Sequence, residues 1–190
     1  MNIQDAIKAR RTIRKFKQIP PTREQLIRYV DAARLAPSGA NLQPLKYYVV
    51  QSREMVEKVF PMLKWAGYLA PEYDPKEGER PVAYIVVCCD TSIRKSGYEL
   101  DAGAAIENLI LAALEDGVGA CWLGSVDRKA LAMLLGIPEN LEISSVVALG
   151  YPAEAPRETA VENGNIKYYL SDGILCVPKR ELDEVLLEIR

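Results

Sequence analysis

The chain has 190 residues, 49% of them hydrophobic, and a formal net charge of −2. That length and apolar fraction suit one domain with a sizeable core, and the near-neutral balance argues against a protein that grips nucleic acid by overall charge. Histidine is absent, which removes imidazole triads, histidine general bases and every metal site with imidazole ligands.

Cys88, Cys89, Cys121 and Cys176 form no C-x-x-C pair and lie in apolar runs. Neighbours on a strand point to opposite faces, so Cys88 and Cys89 are poorly placed to share a metal, and all four read as small buried hydrophobes. No metal is expected. The start, "MNIQDAIKARR", has no apolar leader core, and no run approaches the roughly 20 apolar residues that span a bilayer. The expectation is a cytoplasmic protein with no membrane segment.

Ile3, Ala6 and Ile7 mark a short first helix that runs into "IKARRTIRKF", residues 7–16. Thr22 and Gln25 make a capping-box pattern before the apolar face of Leu26, Tyr29, Val30 and Ala33. Pro37 and Gly39 break that helix. "LKYYVVQS" reads as a strand, "REMVEKVFPML" as a helix and "PVAYIVVCCD" as a strand buried on both faces. Between the last two, residues 61–81 carry Pro and Gly among Trp65, Tyr68 and Tyr73. No period fits this stretch, and its aromatics argue for a folded excursion or lid rather than a linker.

"YELDAGAAIENLILAALEDGVG" is apolar on nearly every face and reads as a central helix buried all round. "GACWLGS" is a short strand, "DRKALAMLLG" a helix closed by Gly136, and "EISSVVALGY" another strand. The chain then reads as long and irregular through Asn163 and Gly164. "IKYYLSDGILCVP" is a candidate hairpin turning at Asp172–Gly173, and "KRELDEVLLEIR" a last helix. About four strands among five or six helices fit a single domain, residues 1–190, built on a mixed sheet wrapped by helices. No G-x-G-x-x-G follows a strand and no P-loop pattern occurs, so neither nucleotide fold is supported.

Three stretches carry candidate chemistry. Arg10, Arg11, Arg14 and Lys15 surround Thr12. Such a cluster either complements the negative end of a helix or grips a phosphate, since guanidinium groups bind phosphate oxygens bidentately. Lys179 and Arg180 open the last expected helix, where cations are disfavoured unless an anion lies near. In "APSGANLQP", Ser38, Asn41 and Gln43 line a turn bounded by Pro and Gly. They are either plain turn formers or neutral partners for a planar heterocycle with carbonyls and ring nitrogens.

"RRTIRKF", "APSGANLQP", "DAGAAIENLILAA" and "GACWLGS", in that order and spacing, together resemble the nitroreductase family of FMN-dependent oxidoreductases. The resemblance implies an α+β fold with a mostly antiparallel central sheet flanked by helices, completed by dimerisation. It implies FMN as cofactor and NAD(P)H as donor, with electrons passing through flavin N5 to a nitroaromatic or quinone in ping-pong turnover. Matching positions imply Arg10 and Arg11 on the FMN phosphate with Lys179 and Arg180, Thr12 on the ribityl chain and Arg14 at the pyrimidine edge. Leu123, Gly124 and Ser125 would face the ring near N5. Pro37, Ser38, Gly39, Asn41 and Gln43 would reach the flavin from the partner of a homodimer with shared sites. Asp101 and Asn108 match the family's helix and are expected to be structural. Trp65 or Tyr68 is a candidate cover for an aromatic substrate. Alternatives within this resemblance are reductive dehalogenation, oxygen-dependent flavin chemistry and a non-catalytic flavin-binding protein.

Overall fold

The computed structural model describes residues 2–190. Four strands, β1 (Leu45–Val50), β2 (Ala83–Asp90), β3 (Gly119–Leu123) and β4 (Leu141–Gly150), form one sheet in the order β1-β2-β4-β3, every pair antiparallel. As its apolar run predicts, β2 is central and buried on both faces. Helices α2 (Arg23–Arg34) and α4 (Glu99–Glu115) cover one face through Leu26, Tyr29, Ile106 and Leu109. Helices α3 (Arg53–Val59) and α5 (Arg128–Leu135) cover the other with the 61–81 segment, through Val59, Trp65 and Leu131. The α+β architecture is as expected, and the hydrophobic effect on both faces of one sheet holds it together.

Local signals place the elements. Thr22 and Gln25 close a reciprocal capping box on α2, and Gly136 ends α5 in the left-handed conformation. After the first helix, α1 (Ile3–Ala9), the chain runs extended along β3, bridged at Thr12–Ala120 and Phe16–Pro152. Gly119 and Gly150 face each other across β3 and β4, and this pair makes that approach possible. A Cβ on Gly119 would lie 2.6 Å from Ile13, and one on Gly150 2.9 Å from Phe16.

Three expectations change. Only one side of α4 is fully buried; Gly103, Ala104, Glu107 and Leu111 are half-buried and Leu100 is exposed. The expected C-terminal helix shrinks to α6 (Leu182–Val185), and Leu187 is 91% exposed. An amphipathic helix needs a surface for its apolar face, and the rest of this chain presents none to it. The region after Gly150 is less irregular than its composition suggests. β5 (Arg157–Ala160) pairs parallel with β7 (Ile174–Lys179), which pairs antiparallel with β6 (Tyr169–Ser171). The hairpin turns at Asp172–Gly173 as expected, both with positive φ (52° and 76°). Among the described residues no helix is long and apolar enough to cross a membrane.

Candidate functional site

The C-terminal end of α1 delivers Arg10 and Arg11 into a cleft of about 250 Å³, lined also by Ile13, Ile110, Gly119 and Glu154. Arg10 Nε lies 3.3 Å from Glu107 on α4. Arg11 is 12% exposed and pairs with Glu158 on β5, yet its Nε is buried with no acceptor. The parallel bridge from Thr12 to Ala120 sends the chain toward Arg14 as β3 runs toward Leu123. The Arg14 guanidinium sits 4.9 Å from the centre of the Tyr168 ring, and among the described residues no carboxylate forms an ion pair with it.

At the end of β3, the Leu123 side chain enters the core, while Gly124 and Ser125 just beyond it remain exposed. The Gly124 carbonyl is held by Arg128 (3.1 Å) and the Ser125 carbonyl by the Lys64 N–H (3.1 Å). Lys179 ends β7 in register with Ala160, two positions beyond the β5 residue that Arg11 grips. Arg180 is exposed and paired with Glu184 at 2.9 Å. The arginine stretch therefore runs beside β3 and reaches β5, the strand paired with β7.

The 37–43 turn does not join them. It leads into β1, at the opposite edge of the four-stranded sheet from β3, three strand spacings or ~14 Å away. Asp101, near the start of α4, organises it: Ser38 Oγ donates at 2.9 Å, the Gly39 N–H at 3.0 Å and Arg94 at 3.0 Å. Burial pushes the Asp101 carboxyl up, but these three donors outweigh it and hold the carboxyl below its usual range. Ser38 Oγ also accepts the Gln43 N–H, so its hydrogen-bonding capacity serves the turn. Ala40, Asn41 and Gln43 adopt positive φ, an arrangement this network over-determines. Asn108 Nδ2 donates to Ala32 O, a tie between α4 and α2.

The 61–81 segment is folded onto the body. Trp65, at 3% exposure, stacks on Phe60 with its Nε1 unpartnered. Burial leaves Trp65 no face with which to cover a bound molecule. Tyr68, 53% exposed, packs on Tyr168 at 4.8 Å and donates its N–H to the Tyr168 hydroxyl. Burial pushes the Cys88 and Cys121 thiols up to about 12, so both are neutral packing groups.

Arg94, Glu154, Glu158 and Tyr168 were invisible as site residues in the sequence. Each lies in a polar or irregular stretch; Glu154, Glu158 and Tyr168 acquire their places by contacts distant along the chain, and Arg94 by its ion pair with Asp101 seven residues on.

A central antiparallel sheet flanked by helices, with a cluster of arginines along one edge and a polar turn at the other, defines an α+β protein. The model of the Nitroreductase family matches residues 7–84 and 90–151, so this chain belongs to that family. A protein of Archaeoglobus fulgidus assigned as an NADH dehydrogenase/NAD(P)H nitroreductase is 40% identical over 155 residues, covering 78% of this chain and 84% of its own. The NADPH-flavin oxidoreductase of Vibrio harveyi is 29% identical over 171 residues, 82% of this chain and 68% of its own. The crystal structure of a nitroreductase family protein from Clostridium novyi superposes with a TM-score of 0.68 at 29% identity, covering 80% of this chain and 87% of that one. The chain is therefore an oxidoreductase of a flavin-using family.

Proposed function

We propose that this protein is an FMN-dependent NAD(P)H oxidoreductase that reduces an electron-poor acceptor such as a nitroaromatic or a quinone, in ping-pong turnover. The observation that carries the reading is Arg11. A nearly buried guanidinium that bonds Glu158 and the Arg10 carbonyl, yet whose Nε has no acceptor, supports an anion here with more oxygens than the single carboxylate beside it. A phosphate ester fits that requirement, and Arg10 opens on the same cleft.

FMN bound here supplies the redox chemistry, taking electrons from NAD(P)H and passing them to the acceptor. The chain's own residues bind and tune. Arg10 and Arg11, with Lys179 and Arg180 from the end of β7, hold the phosphate, and Thr12 takes the ribityl chain. Arg14, whose side chain forms no ion pair with a carboxylate among the described residues, lies at the pyrimidine edge and offsets the negative charge that reduction brings to the ring. Gly124, with no side chain, lets the ring approach the backbone closely.

The 37–43 turn belongs in the site of a second copy. Its position at the far sheet edge and the half-exposed side of α4 both support a homodimer with shared sites. Four free cysteines suit a reducing compartment, and we assign the protein to the cytoplasm.

The visible spectrum of freshly purified protein tests the reading. A flavin spectrum that bleaches anaerobically with NAD(P)H and returns on adding a quinone is expected. Colourless protein that takes up no added FMN would overturn it. Yellow protein without turnover would make it a flavin carrier.

A further inference from the structure

Between its bridges at Thr12–Ala120 and Phe16–Pro152, the arginine stretch belongs to no regular ladder. Its backbone donors must therefore find other acceptors. Glu154, in the loop after β4, supplies them. Its Oε1 accepts the N–H of Arg14 and, at 3.1 Å, the N–H of Lys15, while its Oε2 accepts the Tyr73 hydroxyl. The loop is itself tied to the stretch, since the Ala153 N–H donates to Lys15 O at 2.9 Å. Burial pushes the Tyr73 hydroxyl up and its bond to Glu154 pushes it further, so Tyr73 remains a donor.

We propose that Glu154 is the positioning residue of the flavin site: its carboxylate fixes the Arg14–Lys15 backbone, and through Tyr73 it couples the 61–81 segment to the direction in which Arg14 projects. This rests on the flavin reading above. One carboxylate thus links three separate parts of the chain, the arginine stretch, the excursion and the loop after β4. Without it two amides of the stretch lose their acceptor, and the Arg14 side chain loses the rigid base that presents its charge to the ring. Glu154 need not touch the flavin.

Two conservative variants separate bond geometry from charge. Glu154→Gln keeps Oε1 at the same reach, and its amide nitrogen can donate to the Tyr73 oxygen. Glu154→Asp keeps the charge but withdraws the carboxylate by one methylene, about 1.5 Å. In the flavin-loaded protein, Glu154→Gln should lose no FMN affinity and should not lower the midpoint potential, because it keeps the bonds while removing a negative charge from the cleft. Glu154→Asp should lose about tenfold in affinity for both FMN and riboflavin, the equivalent of one good hydrogen bond, and should lower the potential. Hydrogen exchange at the Arg14 and Lys15 amides, measured without flavin, should quicken about tenfold in Glu154→Asp and little in Glu154→Gln. Unaltered exchange in Glu154→Asp overturns the proposal, as does a loss of affinity or a quickening of exchange in Glu154→Gln that equals or exceeds that in Glu154→Asp. If the chain takes up no FMN, the flavin reading fails alone, and the exchange rates still decide the role of Glu154.

Discussion

Arg11 gives one terminal nitrogen to Glu158 and the other to the Arg10 carbonyl while its buried Nε faces no acceptor, so one donor of the cation is left unmet by its own chain. A bound phosphate must share or displace Glu158. Replacing Glu158 by Gln should therefore tighten FMN by about two- to fivefold, the range of a partly exposed ion pair. Riboflavin, which lacks the phosphate, should bind as before. Fluorescence titration of both ligands reads the difference. Weaker FMN binding in the variant would show that Glu158 supports the cradle instead of competing for it.

Removing both Arg10 and Arg11 by alanine substitution should weaken FMN by at least about 100-fold, two charge-assisted bonds' worth. Riboflavin should change much less. Equal losses for the two ligands would return the arginines to a purely structural role. Arg14→Met makes the complementary change: it should lower the midpoint potential of the bound flavin while sparing phosphate recognition. A spectroscopic redox titration checks it, and an unchanged or higher potential contradicts the assigned position.

Asp101 links the turn to α4, and its titration should be visible in stability. Its folded carboxyl lies below the aspartate value of 3.8, despite the burial that opposes this. The stabilisation is therefore fully present above that value and is lost as pH falls through the lower folded one. Asp101→Asn should cost about 3 kcal/mol at pH 7 by leaving Arg94 without its buried partner, and should flatten the acid limb of stability against pH. Urea melts between pH 2.5 and 7, a range chosen around the ordinary carboxylate value, measure both.

Trp65 and Tyr68 should behave differently. Trp65→Ala removes a core side chain and should destabilise by about 3–5 kcal/mol. Tyr68→Ala should leave the melting temperature nearly unchanged and alter kcat/KM among aromatic acceptors, because Tyr68 stands exposed on Tyr168 beside Arg14. Identical acceptor profiles for Tyr68→Ala and wild type would remove it from the site.

The shared site can be tested by complementation. Arg14 is disabled in one subunit and Asn41 in the other, neither homodimer being active. A mixed dimer with shared sites gathers both defects in one site and leaves the other intact, so about half of wild-type turnover per dimer should return. Purification through two tags isolates the mixed species. Confirmed mixed dimers without recovered turnover would place each site within one chain.

Much of the fold is legible in the sequence because its causes are local. The unbroken apolar run of β2, the Thr22–Gln25 box on α2, the Gly136 stop after α5 and the Asp172–Gly173 turn each depend on a few neighbouring residues and the backbone they favour. The arginine stretch and the polar turn were legible for the same reason, as dense clusters of one chemistry. The tertiary structure alone decided which groups meet. β5 is short and polar and exists because β7 lies alongside it. Glu154, Glu158 and Tyr168 gain their roles from partners distant in the chain. The last residues, amphipathic in pattern, stay mostly unwound because helix formation there depends on a surface to bury against. Local preferences are written residue by residue, whereas burial and charge pairing depend on positions that exist only once the sheet has assembled.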